Sequence, residues 1–191
     1  CTNIEAISMT QTTPNYKKTL NLPKTSFPMR GNLAQNEPQS VKRWEKEKLY
    51  KTIQEARAGA EPFVFHDGPP YANGSIHVGH LLNKVLKDIV VRTQLMSGKK
   101  CPFTPGWDCH GLPIEHKVMT NLVESGKIEK LKELDDDARR ISIRRECKKY
   151  ASKFVKLQTG QMKSLLTLAD YDDPYLTMTP QYESSVLEVF A

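Results

Sequence analysis

Two histidines three residues apart, His77 and His80, are the side chains in this sequence best placed to do chemistry. That spacing sets both imidazoles on one face of a helical turn. They stand where a periodic apolar pattern begins, hence on a first turn, whose backbone N–H groups lack intrahelical partners and whose dipole favours anions. Two imidazoles added to such an end make a phosphate grip. Gly79 between them, without a Cβ, lets a flat ring or a backbone approach closely. The bland alternative is a pair of surface histidines capping an ordinary helix. Against it stands the preceding turn, Asp67-Gly68-Pro69-Pro70-Tyr71-Ala72-Asn73-Gly74, which shapes the backbone more than a plain cap requires. A second candidate is Asp108, between Trp107 and Cys109. A carboxylate there is costly to bury unless a cation meets it, and the alternative is a loop aspartate capping a backbone N–H. His110 is either a supporting or a purely structural residue, and Cys109 reads as a small packing residue.

The elements that must position these groups follow from periodicity. Phe63-Val64-Phe65 is a short apolar run of the kind a buried strand carries. After the turn, Val78, Leu81, Leu82, Val85, Leu86, Ile89 and Val90 recur at steps of three and four, one face of an amphipathic helix, which Ser97-Gly98 ends. Residues 101–104 are short and apolar enough for a second strand parallel to the first. Strand, crossover helix and parallel strand make a right-handed βαβ unit with its ligand site at the carboxyl ends of the strands. The two unusual loops, 67–75 and 105–113, both follow expected strands, so this topology brings them together.

With 191 residues, 38% hydrophobic and 26% charged, the chain has an ordinary globular composition, enough for one good core or one and a half domains. A net charge of +6 and a sequence pI near 9.1 suit a polyanionic partner, though weakly. There is no run of 18 apolar residues and no secretory pattern, and Cys1, Cys101, Cys109 and Cys147 lack CxxC spacing. No membrane span, no zinc site in this stretch and reduced thiols in a cytosolic compartment are therefore expected.

The segment FHDGPPYANGSIHVGH resembles the first ATP-binding motif of the class I aminoacyl-tRNA synthetases, and PGWDCHGLPIE, from Pro105 to Glu115, is a second match. NLPKTSFPMRGNL and DDPYLTM fit as well, so the resemblance runs from about Tyr16 onward. Its wording is that of the isoleucine-specific, bacterial members. The resemblance implies an α/β fold: the first half of a Rossmann-type catalytic domain over 62–191, behind an N-terminal arm and helix over 1–61. It implies isoleucine–tRNA ligase activity, in which isoleucine and ATP give an adenylate and the acyl group passes to tRNA(Ile). It places Pro70, Tyr71, Ala72, Asn73, Gly74, Ser75, Ile76, His77, Val78, Gly79 and His80 along ATP, with His77 and His80 stabilising the departing pyrophosphate and Gly79 beneath the adenine. Gly68, Pro69 and Asp108 are implied as amino-acid contacts, Pro69 as a wall of the side-chain pocket and Asp108 on the α-ammonium. Mg²⁺ would accompany ATP, and the complete enzyme would be a cytoplasmic or organellar monomer. The lysine-rich second ATP motif, the editing insertion and the tRNA-binding region do not occur in these residues, so the chain is expected to be an N-terminal fragment, and a weak catalyst alone. Ala169-Asp170-Tyr171 replaces the family's usual Gly-Asp-Trp, with size and aromatic character retained.

Elsewhere, Cys1 to Thr13 is polar and expected to be disordered, with natural initiation at Met9. Tyr16 to Leu33, with Pro23, Pro28, Gly31 and Asn32, is expected to be extended. A helix is expected from Glu37-Pro38 to about Gly59 on the stripe Val41, Trp44, Leu49, Ile53 and Ala56, with Trp44 a packing anchor. Another is expected over 115–125. A long one follows Asp135-Asp136-Asp137 with Ile143, Cys147, Tyr150, Phe154, Leu157, Gln161 and Leu165 inward, and with Arg139, Arg140, Arg144, Arg145, Lys148 and Lys149 near its start on a solvated face, the alternative being contact with RNA. A last helix is expected from Tyr182.

Overall fold

The computed structural model describes residues 16–21, 25, 26, 28 and 30–191. The expectations for 1–13, for initiation at Met9 and for Pro23 fall outside them. The chain forms two compact units, 1–32 and 33–191. In the first, the expected extended run opens instead with a single 3₁₀ turn, Tyr16–Lys18, closed by the Thr19 N–H and hydroxyl on the Tyr16 carbonyl at 3.0 and 2.9 Å.

The second unit begins with α1 (Leu33–Lys46) and α2 (Leu49–Ala56). The single helix expected from Glu37 is therefore two. It starts four residues earlier and tolerates Pro38 in its interior. It breaks at Lys48, which takes a left-handed conformation (φ 48°). The break turns the chain so that Trp44 and Tyr50 serve different contacts: the Arg92 guanidinium lies 5.3 Å above the Trp44 ring, and the Tyr50 hydroxyl accepts from the Phe103 N–H at 2.8 Å. Trp44 is half-buried beneath that guanidinium and lies outside both core clusters.

Next comes α3 (Val78–Met96), followed by β1 (Gly106–Trp107), α4 (Leu112–Glu124), α5 (Lys127–Lys132), α6 (Asp136–Ser164), β2 (Tyr175–Leu176) and α7 (Pro180–Phe190). Asp135 caps α6 through the Ala138 N–H at 2.8 Å, with Asp136 and Asp137 in its first turn, as its acidic start implies. α5 has no counterpart in the expected elements. Gly126 (φ 68°) supplies the left-handed link from α4 into it.

β1 and β2 pair in parallel, Gly106 with Tyr175 and Trp107 with Leu176. On the other side of the 100–108 segment runs 62–71, also parallel but paired through the backbone at two isolated bridges alone, Pro62 with Lys100 and Tyr71 with Asp108, with the Phe65 and Phe103 rings packed between them. The strand expected at Phe63–Phe65 is accordingly no continuous ladder, and Val64 is 83% exposed rather than buried. The reason is local: between the bridges, nine steps along one segment face eight along the other, and Pro69, Pro70, Pro102 and Pro105 lack ladder donors. The second strand, expected at 101–104, is regular only at 106–107, although Cys101 and Phe103 are buried. Two core clusters string along this central segment. Cys101 and Phe103 pack with Val91, Leu95 and Leu168; Trp107 and Cys109 pack with Ala72, Ile114, Val118, Leu122, Ala151 and Met162. Cys109 is thus a packing residue.

The largest departure from the periodic reading concerns α3. Its apolar stripe, Val78 to Val90, lies on the exposed side, while Lys84, Val91 and Leu95 are buried. The buried side is selected by partners for charge. Lys84 and Lys87 grip Asp67, Arg92 pairs with Asp88 at 2.5 Å, and Asp88 also accepts the Leu168 N–H at 2.7 Å. α6 is corrected by one register position: Leu157 is 40% exposed and Gln158 fully buried. Among the described residues no helix is long and apolar enough to cross a membrane.

Candidate active site

The His77–His80 turn opens α3 through a reciprocal cap. The Gly79 N–H donates to His77 Nδ1 at 3.0 Å, and the His77 N–H donates to His80 Nδ1 at 3.3 Å. Two of the donors a helix end leaves free are thereby satisfied by imidazole lone pairs, a role usually taken by Ser, Asp and Glu. A neutral imidazole that accepts at Nδ1 carries its proton at Nε2. Both rings therefore offer an outward Nε2–H, with centroids 4.1 Å apart. Burial, the neighbouring His77 and the Lys84 ammonium all push His80 below the usual imidazole value, favouring its neutral form. Gly79 is required by this geometry: a Cβ there would stand 2.8 Å from His77 Cε1.

The preceding turn is held on the central segment and on α6. The Asp108 N–H donates to the Pro70 carbonyl and the Ala72 N–H to the Asp108 carbonyl, both at 2.9 Å. The two loops singled out in the sequence are therefore hydrogen-bonded to each other. Asn73 adds a link from its Nδ2 to the Pro113 carbonyl at 3.3 Å. α6 contributes three side chains from one face. The Tyr150 hydroxyl donates to Asn73 Oδ1 at 2.7 Å, and Gln161 Oε1 accepts the Ile76 N–H at 3.0 Å. Gln158 is the centre of this platform. Its Oε1 accepts Trp107 Nε1–H at 2.9 Å, and its Nε2 donates to the carbonyls of Tyr71 (3.1 Å) and Gly74 (3.0 Å). Gly74 takes φ 78°, which completes the turn before Ser75 and Ile76 lead into His77.

Exposure divides the sequence-derived residues. Gly68, Tyr71, Asn73, Ser75, His77, Val78 and Gly79 are open to solvent; Pro69, Pro70, Gly74, Ile76, His80 and Asp108 are half-buried; Ala72 is in the core. Ala72 thus packs beneath the turn rather than lining it. Asp108 Oδ1 accepts the His110 N–H at 3.2 Å and the Thr177 hydroxyl at 3.4 Å, so the capping alternative is realised at one oxygen. Among the described residues no Lys, Arg or His side chain forms an ion pair with Asp108. His110 bridges outward, its Nε2 3.1 Å from the Thr177 carbonyl and 3.3 Å from Glu183 Oε1 in the first turn of α7, which makes it structural.

Several residues of the site escaped the sequence reading. Asp67 was seen only as a turn residue, yet its carboxylate is buried between Lys84 and Lys87. Burial by itself would raise its pKa, but the hydrogen bonds and charges of the two lysines prevail and hold it below the ordinary aspartate value. Tyr175 donates its hydroxyl to the Asp67 carbonyl at 3.2 Å and stacks between His66 and Tyr182. Its ring occupies the space a Cβ on Gly106 would need, so the glycine of the Pro-Gly-Trp stretch is a close-approach position. The signal available beforehand was a run of charged residues, Lys84, Lys87, Asp88 and Arg92, on the side of the helix opposite its apolar stripe. A concavity of about 750 Å³ between α1, α2 and the 166–173 segment includes none of the histidine turn or Asp108.

Residues 39–191 match the family model of the class I tRNA synthetases (I, L, M and V). Curated relatives carrying the name isoleucine–tRNA ligase align over 177 residues, 93% of this chain: 53% identical in Kosmotoga olearia, 52% in Francisella tularensis subsp. novicida and 46% in Brachyspira hyodysenteriae. The chain spans 18% of the length of these relatives. A solved ternary complex of Agrobacterium radiobacter K84 agnB2 LeuRS with tRNA and LeuAMS superposes with a TM-score of 0.61 over 84% of this chain and 18% of that one, at 17% identity, a likeness of fold alone. The turn, the helix it opens and the parallel segment beside it all lie within the residues that the family model matches, which begin inside α1 and run to residue 191, and the chain belongs to the class I tRNA synthetases.

Proposed function

We propose that this chain is the part of an isoleucine–tRNA ligase that binds ATP and the amino acid, and that 62–191 is the first half of a Rossmann-type catalytic domain behind an N-terminal arm and helices. The observation that carries the reading is the pairing of the two loops, Tyr71 against Asp108, which puts the histidine turn and the carboxylate at the same end of parallel segments. Ligands of open parallel sheets bind there. The bare apolar stripe of α3 and the exposed Val64 favour the half-domain reading, since parallel sheets are ordinarily covered on both faces.

In the reaction a carboxylate oxygen of isoleucine attacks the α-phosphorus of MgATP, the bond to the β-phosphate oxygen breaks, and pyrophosphate leaves. A hydroxyl at the 3′ end of tRNA(Ile) then takes the acyl group and AMP is released. Both steps need positioning and charge stabilisation rather than a protein nucleophile. His77 and His80 donate Nε2–H to phosphate oxygens as negative charge gathers on the leaving group, beside the positive end of α3. The 70–76 turn follows the nucleotide, Gly68 and Pro69 meet the aminoacyl part, and Asp108 receives the α-ammonium with its uncapped oxygen. Mg²⁺ enters with ATP on the phosphates; among the described residues no three metal-ligating side chains gather. The substrates, a cytoplasmic setting and a monomeric complete enzyme follow from the family reading.

The test is a chimera in which residues 16–191 replace the matching segment of one of the full-length relatives, assayed for isoleucine-dependent exchange of pyrophosphate into ATP. It should exchange, and His77→Ala or His80→Ala should each lower the rate by roughly 10²–10³, the cost of one lost charge-stabilising donor. Exchange at the parental rate in both variants, or a folded chimera without exchange, overturns the reading.

A further inference from the structure

Asp67 immediately precedes Gly68 and Pro69, while Lys84 and Lys87 follow His80 by four and seven residues on the same side of α3. Lys84 Nζ meets Asp67 Oδ2 and Lys87 Nζ meets Oδ1, so one carboxylate takes both ammoniums. The residues are deep: Asp67 is 5% and Lys84 8% exposed, with Lys87 half-buried at the rim. On the main-chain side Asp67 is also tied, through its carbonyl, to the Tyr175 hydroxyl. We propose that Asp67 is a positioning residue, clamped by Lys84 and Lys87 so that the Gly68–Pro70 wall stands at a fixed place relative to the His77–His80 turn.

Three observations carry this inference, which rests on the phosphate reading of those histidines. First, one lysine would neutralise the carboxylate, and a second is supplied. Buried ion pairs add little net stability because desolvation offsets attraction, and their best-attested use is to specify one geometry. Second, the link joins the two parts that must act on different portions of one substrate, the aminoacyl wall and the phosphate grip. No other side-chain hydrogen bond or ion pair among the described residues joins α3 to 66–70. Third, α3 presents its apolar stripe outward and its charged side inward, so contact with Asp67 rather than hydrophobicity sets the rotation of the helix that carries the histidines.

The experiment uses the full 191-residue chain with MgATP as probe. Lys84→Met, Lys87→Met, Asp67→Asn and the Asp67→Asn/Lys84→Met double variant are compared by thermal unfolding, by the backbone amide resonances of Gly68, His77 and His80, and by MgATP affinity well below the unfolding temperature. Loosening the clamp should move the Gly68 and histidine resonances together. It should weaken MgATP at least about tenfold in Lys84→Met, since displacement of the order of an ångström costs up to about a hundredfold. The double variant should be no weaker than its weaker single parent, because both remove one link. Lys87→Met, whose carboxylate still has Lys84, guards against loss of folding and should move the same resonances less. Lowered melting temperatures with unmoved resonances and unchanged affinity in folded variants would reduce the cluster to a stabilising ion pair and overturn the proposal. If the unaltered chain does not bind MgATP, the phosphate reading fails on its own, and the resonances still decide whether wall and turn move as one.

Discussion

At the scale of single residues, the site depends on where lone pairs and protons sit. His77 and His80 accept backbone N–H groups at Nδ1 and so present Nε2–H, a pair of neutral donors at a helix end already positive. Two imidazoliums 4.1 Å apart would repel, and the lowered pKa of His80 agrees with the neutral arrangement. Asp108 Oδ1 fixes the loop through His110 and Thr177, and in the proposed function the other oxygen takes the α-ammonium. Asp108→Asn in the chimera keeps the Oδ1 contacts and removes the charge. It should raise KM for isoleucine by about tenfold or more, the scale of a charged hydrogen bond, while leaving KM for ATP within about twofold. Equal losses for both substrates would make Asp108 a structural residue alone.

At the scale of elements, α6 does for the turn what no local interaction does. Tyr150 and Gln161 each hold one point of the turn, at Asn73 and Ile76, while Gln158 holds two, the carbonyls of Tyr71 and Gly74, and also the Trp107 indole. Replacing Gln158 by Leu keeps the volume but strands a buried indole N–H and leaves two half-buried turn carbonyls without their donor. Each buried unsatisfied group costs about 1–3 kcal/mol. Gln158→Leu should therefore lower unfolding free energy by about 3 kcal/mol in urea titration, with an unchanged slope. Because its partners are the turn carbonyls, amide protection at Ala72 and Asp108 should fall more than at Val118 in α4. A midpoint equal to that of the unaltered chain would show that water or a shifted side chain replaces these bonds.

At the scale of the whole molecule, the Asp67 cluster links acid stability to the site. The folded carboxyl is held below its ordinary value of 3.8, so the unfolded chain binds a proton first as pH falls. The stabilisation is complete above about pH 3.8 and is lost as pH drops through the lowered folded value. The difference in unfolding free energy between the unaltered chain and Asp67→Asn should thus be constant above that window and shrink within it. A difference independent of pH down to complete unfolding would mean the carboxylate gains nothing from its lysines. The same cluster explains a second global feature, the exposed apolar side of α3, where Val78, Leu82, Leu86 and Ile89 are each more than half exposed. A contiguous patch of this kind is a surface made to be covered.

What could be read without coordinates was local. Asp135 followed by two more acids announces the start of α6, Gly98 and Gly126 announce helix ends, and the motif from Asp67 to His80 announces a shaped turn opening a helix, because caps and turn geometry depend on neighbours in sequence. The convergence of the two loops followed from one topological rule applied to two short apolar runs. What periodicity could not decide was which side of α3 faces inward, since the helix has one apolar side and another mixing Val91 and Leu95 with charges. The choice was made by Asp67, seventeen residues from Lys84, and by the Leu168 N–H, eighty residues from Asp88. Gln158 is the same case: a glutamine one position from an apolar stripe reads as solvated until an indole and two turn carbonyls are brought against it. Burial of a polar group is settled by partners distant in sequence, and only the tertiary structure supplies them.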